Sequence, residues 1–209
     1  MQLYSYFHSS ASYRVRIALA LKGISYETVP VHLVQGKNTE AAFVSLNPQA
    51  RVPALQLDGG EVLIQSLAII NYLDEVHPQP PFLPSDPLAR ARVRAAADLV
   101  AMDIHPLGNT GPRNYMLKTL GLKLETVDEW TRHWIATGFA ALEQMIAPAP
   151  FCFGLQPTLA DICLVPQVFN ARRYKVDMGK FPKIAAVDAA AQNHPAFAAA
   201  APAVQPDAE

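Results

Sequence analysis

Cysteine is scarce. Only Cys152 and Cys163 occur in 209 residues, they form no C-x-x-C pair, and no histidine–cysteine cluster has zinc-ligand spacing. This argues against a disulfide framework and against a structural zinc site, and a reducing compartment fits. Charge is scarce too. Charged residues make up 17% and the net charge is -1, so no broad basic surface draws in nucleic acid or an anionic membrane. No run approaches the ~18 apolar residues that span a bilayer. The opening MQLYSYFHSS lacks the basic head and apolar core of a secretory signal. These absences predict a cytoplasmic protein with no membrane and no nucleic-acid partner. Any charged ligand must be met by local residues.

What is present is core material. Hydrophobic residues make up 51%, enough for one large domain or two small ones. Residues 2–7 (QLYSYF) read as a strand. Within residues 9–23 the sequence reads as a helix of about 11 residues with Val15, Ala18 and Leu19 on an apolar face and Arg14 and Arg16 pointing elsewhere, closed by Gly23. Residues 26–31 follow as a second strand, and 39–45 as a short helix. Residues 52–57 and 61–64 read as strands joined by a turn at Asp58-Gly59-Gly60, and 65–75 as a helix. The order is β-α-β-(α)-β-β-α, with a mixed sheet.

The proline-rich stretch 77–87 is a linker whose apolar members suggest that it packs down. Beyond it only helices are expected: 88–107, 125–146, one opening at Thr158, and 182–192. Thr158 and Asp161 have capping-box spacing. Residues 200–209 are expected to fray. The domains are then 1–80, α/β, and 87–209, all helical, with no internal repeat.

Ser9, Ser10 and Ser12 crowd the start of the first helix. A helix N-terminus carries unsatisfied N–H groups and a positive dipole end, so a serine there either caps the helix or presents an anion-binding site. No G-x-S-x-G elbow surrounds these serines, which argues against a protein nucleophile. Gln65-Ser66 poses the same choice at the next helix. Val52-Pro53 is either a cis peptide in a tight turn or an ordinary trans edge proline. His105 beside Pro106 is either a capping histidine or a carboxylate contact. Arg172 and Arg173 at a helix C-terminus suit dipole compensation.

The motifs SSASYRVRIALALKG (9–23), LNPQARVPAL (46–55), QSLAIINYL (65–73), DIHPLGN (103–109) and ADICLVPQVFNARRYKVD (160–177) resemble, in order and across nearly the whole chain, the zeta class of glutathione S-transferases. That resemblance implies the glutathione S-transferase fold: a thioredoxin-like α/β N-terminal domain and an all-α C-terminal domain. It implies glutathione as cofactor, a small dicarboxylate as substrate and a homodimer. Ser9, then Ser10, would meet the sulfur. Val52 and the cis Pro53 would pair with the cysteinyl part, and Gln65 and Ser66 would bind the γ-glutamyl carboxylate. Asn38, His105 and Asn109 would complete the cofactor contacts. His8, His105 and Arg173 would meet the substrate, with Arg173 as carboxylate clamp. Two positions depart from the pattern: Ala11 stands where relatives usually carry cysteine, and His8 where they often carry arginine. Arg113 is a further cation nearby whose surroundings do not match the family.

The implied reaction is cis–trans isomerisation of maleylacetoacetate to fumarylacetoacetate, in tyrosine and phenylalanine breakdown, by thiolate addition, rotation and elimination. Maleylpyruvate isomerisation in gentisate breakdown is the nearest alternative. A general glutathione transferase and a non-catalytic interaction module with this scaffold complete the set. Because glutathione brings the sulfur, loss of the cysteine at position 11 should be tolerated.

Overall fold

The structure, a computed structural model, describes residues 1–208. The chain divides into two compact units. One holds Met1–Pro81 together with the chain from Asn193 on; the other is Phe82–Gln192.

The first unit is built on a four-stranded sheet of β1 (Gln2–Ser5), β2 (Glu27–Pro30), β3 (Ala54–Gln56) and β4 (Val62–Ile64), in the order β2-β1-β3-β4. β1 and β2 are parallel, and such a pair needs a crossover. Helix α1 (Ser10–Lys22) supplies it. β3 runs antiparallel to both β1 and β4, with Leu3 opposite Leu55 and Leu55 opposite Leu63; Leu3 and Leu55 are fully buried. α2 (Ala41–Leu46) and α3 (Ser66–Val76) complete the expected series. α1 ends as the glycine predicts. Gly23 takes φ 66° and donates to Ala20, and Ile24 donates to Leu19, which is a Schellman closure.

One expectation for α1 fails. Arg14 and Arg16 do not point to solvent; they are 2% and 0% exposed. α1 packs against α3 and also against α9 (Pro195–Ala200), a helix not foreseen, so it has no wet face. Arg16 is accommodated by acceptors: Nε donates to the Ala200 carbonyl (3.0 Å), Nη1 to Ser5 Oγ (3.1 Å) and Nη2 to the Phe7 carbonyl (3.1 Å). Burial lowers its pKa to about 10, which still leaves it charged at neutral pH.

The tail is corrected as well. Residues 193–208 belong with the first unit, not with a helical domain running to 209, and they are not frayed. Pro202 and Gln205 are buried. Gln205 Nε2 donates to the carbonyls of Ala199 and Ala201, and Asp207 Oδ2 accepts from the Phe7 N–H at 2.9 Å.

The second unit contains α4 (Pro87–Asp98), α5 (Thr110–Lys118), α6 (Leu124–Met145), α7 (Leu159–Arg173) and α8 (Pro182–Gln192). Asp86 caps α4 by accepting from the Ala89 N–H, with Pro87 at the first helical position. The linker packs down as expected: Phe82 is buried and its carbonyl accepts from the Leu159 N–H. The single helix expected over 88–107 is instead three segments. α4 passes into a π-helical turn (Leu99–Ile104) and a 3-10 turn (His105–Gly108). Pro106 cannot donate back into an α-helical ladder, so the hydrogen bonding changes where it enters. Ile104 sits on α6 at Gly138, where a β-carbon would fall 2.3 Å from the Ile104 side chain. α7 is buried on every side from Leu159 to Val168, and its Asp161 is wholly buried.

Candidate functional site

At the start of α1, Ser9 is the N-cap. Its Oγ accepts from the Ser12 N–H (3.2 Å), its own N–H donates to the Tyr6 carbonyl (2.9 Å), and its carbonyl accepts from the Tyr13 N–H. The capping role is therefore real, yet it uses only an acceptor lone pair. A hydroxyl also has one proton to donate. Ser9 is half-buried, whereas Ser10 is only 3% exposed. An external acceptor at the positive end of α1 thus reaches Ser9 more readily than Ser10. Ala11 is half-buried. His8 stacks on Phe7, ring centroids 4.0 Å apart.

The Val52–Pro53 bond is cis, and the loop before it is braced by two asparagines. Asn38 Nδ2 donates to the Ala50 carbonyl (2.8 Å), and the buried Asn47 donates to the Arg51 carbonyl (2.6 Å) while accepting from the Gln49 N–H. Asn38 thus braces the loop that carries Val52. Val52 packs with Tyr6 and Phe7 in one apolar cluster, which ties this loop to the turn carrying Ser9.

At the start of α3, Gln65 has φ 69°, rarely adopted outside glycine and costing on the order of 1 kcal/mol. Its side chain donates to Gln49 Oε1 (2.8 Å). Ser66 opens the helix, and its Oγ accepts from Arg14 Nη1 at 3.4 Å. A buried guanidinium behind a helix N-terminus reinforces the site's positive potential. Sequence reasoning missed Arg14 here; two arginines inside so apolar a helix were the signal. Arg14 joins α1 to Ser66 as Val52 joins its loop to the Ser9 turn. This unit therefore offers two helix N-termini, each with a serine, and a braced loop beside the first. These residues fit a peptide-like anion bearing a thiolate and a carboxylate.

In the helical unit His105 begins the 3-10 turn, and Asn109 caps α5, its Oδ1 accepting from the Thr110 N–H. Arg113 is committed to structure. It donates to Asp128 (2.6 Å), Thr131 Oγ1 (2.7 Å) and the Val127 carbonyl, and its guanidinium lies 4.8 Å from the Tyr174 ring centroid. At the end of α7 the two arginines differ. Arg172 pairs with the buried Asp188 at 2.6 Å. Arg173 is exposed, lies 5.7 Å from the Tyr174 centroid and makes no ion pair among the described residues. Of these three arginines, Arg173 is the one with a fork left for an incoming carboxylate.

The protein's own thiols are poor candidates for chemistry. Cys152 and Cys163 are both fully buried, and burial together with Asp161 pushes the Cys152 thiol well above its ordinary value. Thiol titration of the native protein should therefore be negligible, with both cysteines reacting only after unfolding. Among the described residues no group of three or more metal-ligating side chains occurs, and no helix is long and apolar enough to cross a membrane.

Comparison with known proteins agrees with this geometry. The family description "Glutathione S-transferase, N-terminal domain" matches residues 1–75, and "Glutathione S-transferase, C-terminal domain" matches 126–202. Maleylacetoacetate isomerase of Pseudomonas aeruginosa is 52% identical over 209 residues, 99% of this chain and 98% of that one. The holo structure of a maleylpyruvate isomerase, a bacterial zeta-class glutathione S-transferase, matches with a TM-score of 0.96 at 48% identity over 100% of both chains. Maleylacetoacetate isomerase of Methylobacterium extorquens, solved with malonate and glutathione bound, matches with a TM-score of 0.96 at 37% identity, again over 100% of both. The two family matches, the near-complete identity spans and the mixed sheet with its helical partner unit lead to one assignment: the chain belongs to the zeta-class glutathione S-transferases.

Proposed function

We propose that this protein is a glutathione-dependent cis–trans isomerase that converts maleylacetoacetate to fumarylacetoacetate. The observation that carries the reading is the Ser9 hydroxyl: half-buried at the α1 N-terminus, with its acceptor used for capping and its proton not. When bound, glutathione supplies a thiolate that adds to the cis double bond, permits rotation and is expelled again.

The chain's residues do the rest. Ser9 donates its proton toward the sulfur, and with the α1 dipole favours the thiolate by about 2–3 kcal/mol. Val52 offers its backbone to the cysteinyl part beside Pro53. Gln65 and Ser66, backed by Arg14, hold the γ-glutamyl carboxylate. Asn38 keeps the Val52 loop in register, and His105 and Asn109 contribute polar contacts. His8, His105 and Arg173 receive the substrate carboxylates. Cations near the developing enolate oxygen stabilise it. The working form is a homodimer in the cytoplasm, with no nucleic-acid or membrane partner.

A second substrate has a specific observation behind it: the structural match to a maleylpyruvate isomerase over its full length. Maleylpyruvate is shorter and needs the same chemistry. Parallel assays on the two substrates, with and without glutathione, decide between them. The expected result is glutathione-dependent turnover of maleylacetoacetate well above that of maleylpyruvate. The reverse ratio would assign the alternative. No turnover of either, with glutathione bound, would leave a general transferase or a non-catalytic module.

A further inference from the structure

The segment after α9 has no part in the function above, yet it is bonded to the turn that carries Ser9. Phe7 lies between β1 and α1, and its N–H is outside both elements' hydrogen bonding. That N–H donates to Asp207 Oδ2 at 2.9 Å, 200 positions along the chain. The neighbouring carbonyls are held from the other side. Arg16 Nη2 donates to the Phe7 carbonyl (3.1 Å) and Nη1 to the Tyr6 carbonyl (3.5 Å), which also accepts from the Ser9 N–H (2.9 Å). Arg16 Nε reaches the Ala200 carbonyl, so one guanidinium grips both the turn and the end of α9. Gln205, bonded to the carbonyls of Ala199 and Ala201, fixes the path of the chain to Asp207.

The arrangement is not optimal for stability alone. Asp207 Oδ1 is buried with no hydrogen-bond partner among the described residues, which costs stability. Local rules are broken in this way chiefly where function demands it. The turn's backbone is fastened by one buried cation and one carboxylate, and Ser9 follows directly.

We propose that Asp207 is a positioning residue: with Arg16 it fixes the Tyr6–His8 turn so that the Ser9 hydroxyl and the α1 N-terminus are pre-set for a thiol. The inference rests on the reading that Ser9 meets the sulfur of glutathione. Misplacing a reacting group by about 1 Å can cost on the order of 100-fold in rate, so a loosened turn acts on thiolate formation and kcat more than on binding.

The test uses the full-length protein and two readouts: the pKa of bound glutathione, from thiolate ultraviolet absorbance, and steady-state isomerase kinetics. Asp207→Ala is expected to raise the bound thiol's pKa by about half a unit or more, with a roughly 10-fold lower kcat and a glutathione KM within about 2-fold of wild type. Asp207→Asn keeps an acceptor oxygen and should recover most of the loss. If Asp207→Ala does not fold, Gln205→Ala, which frees the tail without touching the turn, should show the same pattern at smaller size. The proposal is overturned if these variants lower only the melting temperature, leaving thiol pKa and kcat at wild-type values. A wild-type protein that binds glutathione without lowering its thiol pKa would instead overturn the underlying reading of Ser9, and the two failures are distinct.

Discussion

Ser9→Ala should lower kcat for glutathione-dependent isomerisation by about 100-fold or more, the size seen when one donor to a developing or bound anion is removed. The protein should still fold, losing about 1 kcal/mol with the cap. Alanine alone does not separate the two jobs, because it removes both the acceptor that caps Ser12 and the proton offered to the sulfur. Ser9→Asp does. Aspartate is as good an N-cap as serine, so the melting temperature should hold. Its carboxylate has no proton to give and repels a thiolate, so activity should fall as far as in the alanine variant. Ser10→Ala should matter less, since Ser10 is nearly inaccessible. Turnover at saturating glutathione and thermal melting of all three variants check the argument. A Ser9→Asp variant with near wild-type turnover would show that Ser9 is only a cap.

The largest stability effect is expected at Asp161. Its carboxylate is wholly buried and accepts three hydrogen bonds: from the Cys152 N–H (2.7 Å), the Thr158 N–H (2.8 Å) and the Thr158 hydroxyl (2.8 Å). It therefore ties the start of α7, the central helix of its unit, to the strand-like turn around Phe151. Asp161→Ala leaves the buried Cys152 N–H and the half-buried Thr158 N–H without acceptors and opens a small cavity, at a cost of about 3–5 kcal/mol. Against total stabilities of about 5–15 kcal/mol, that is a large fraction. Asp161→Asn should recover little, because its amide would turn an N–H toward another N–H. Urea denaturation measures both. A loss below about 1 kcal/mol for the alanine variant would contradict this account.

The legible parts of the sequence were those governed by local chemistry. Gly23 closes α1 in a left-handed conformation, the Thr158–Asp161 spacing caps α7, and Asp58-Gly59-Gly60 turns β3 into β4. Each depends on residues a few positions apart. What could not be read depended on distant partners. Arg14 and Arg16 look like a solvent face until α9 and Ser66 surround them. Residues 200–208 look frayed because nothing local reveals that Asp207 meets Phe7. The segment 110–118 has Gly111 and Pro112 near its start and gives no helical signal, although proline is compatible with a first turn, where α5 carries it. Within the site, the motifs marked the two serine-bearing helix starts and the Val52-Pro53 turn. They did not reveal that Arg113 is spent on Asp128 and Arg172 on Asp188, while Arg173 makes no ion pair among the described residues.

The central claim is that the reacting sulfur arrives with the cofactor and is activated at Ser9. The most direct measurement is isomerase turnover with S-methylglutathione in place of glutathione, its binding followed separately by calorimetry. The account predicts that the methylated tripeptide binds, through Val52, Gln65 and Ser66, and supports no turnover. Turnover at the glutathione rate would contradict the account, because the chemistry would then lie with a group of the protein itself.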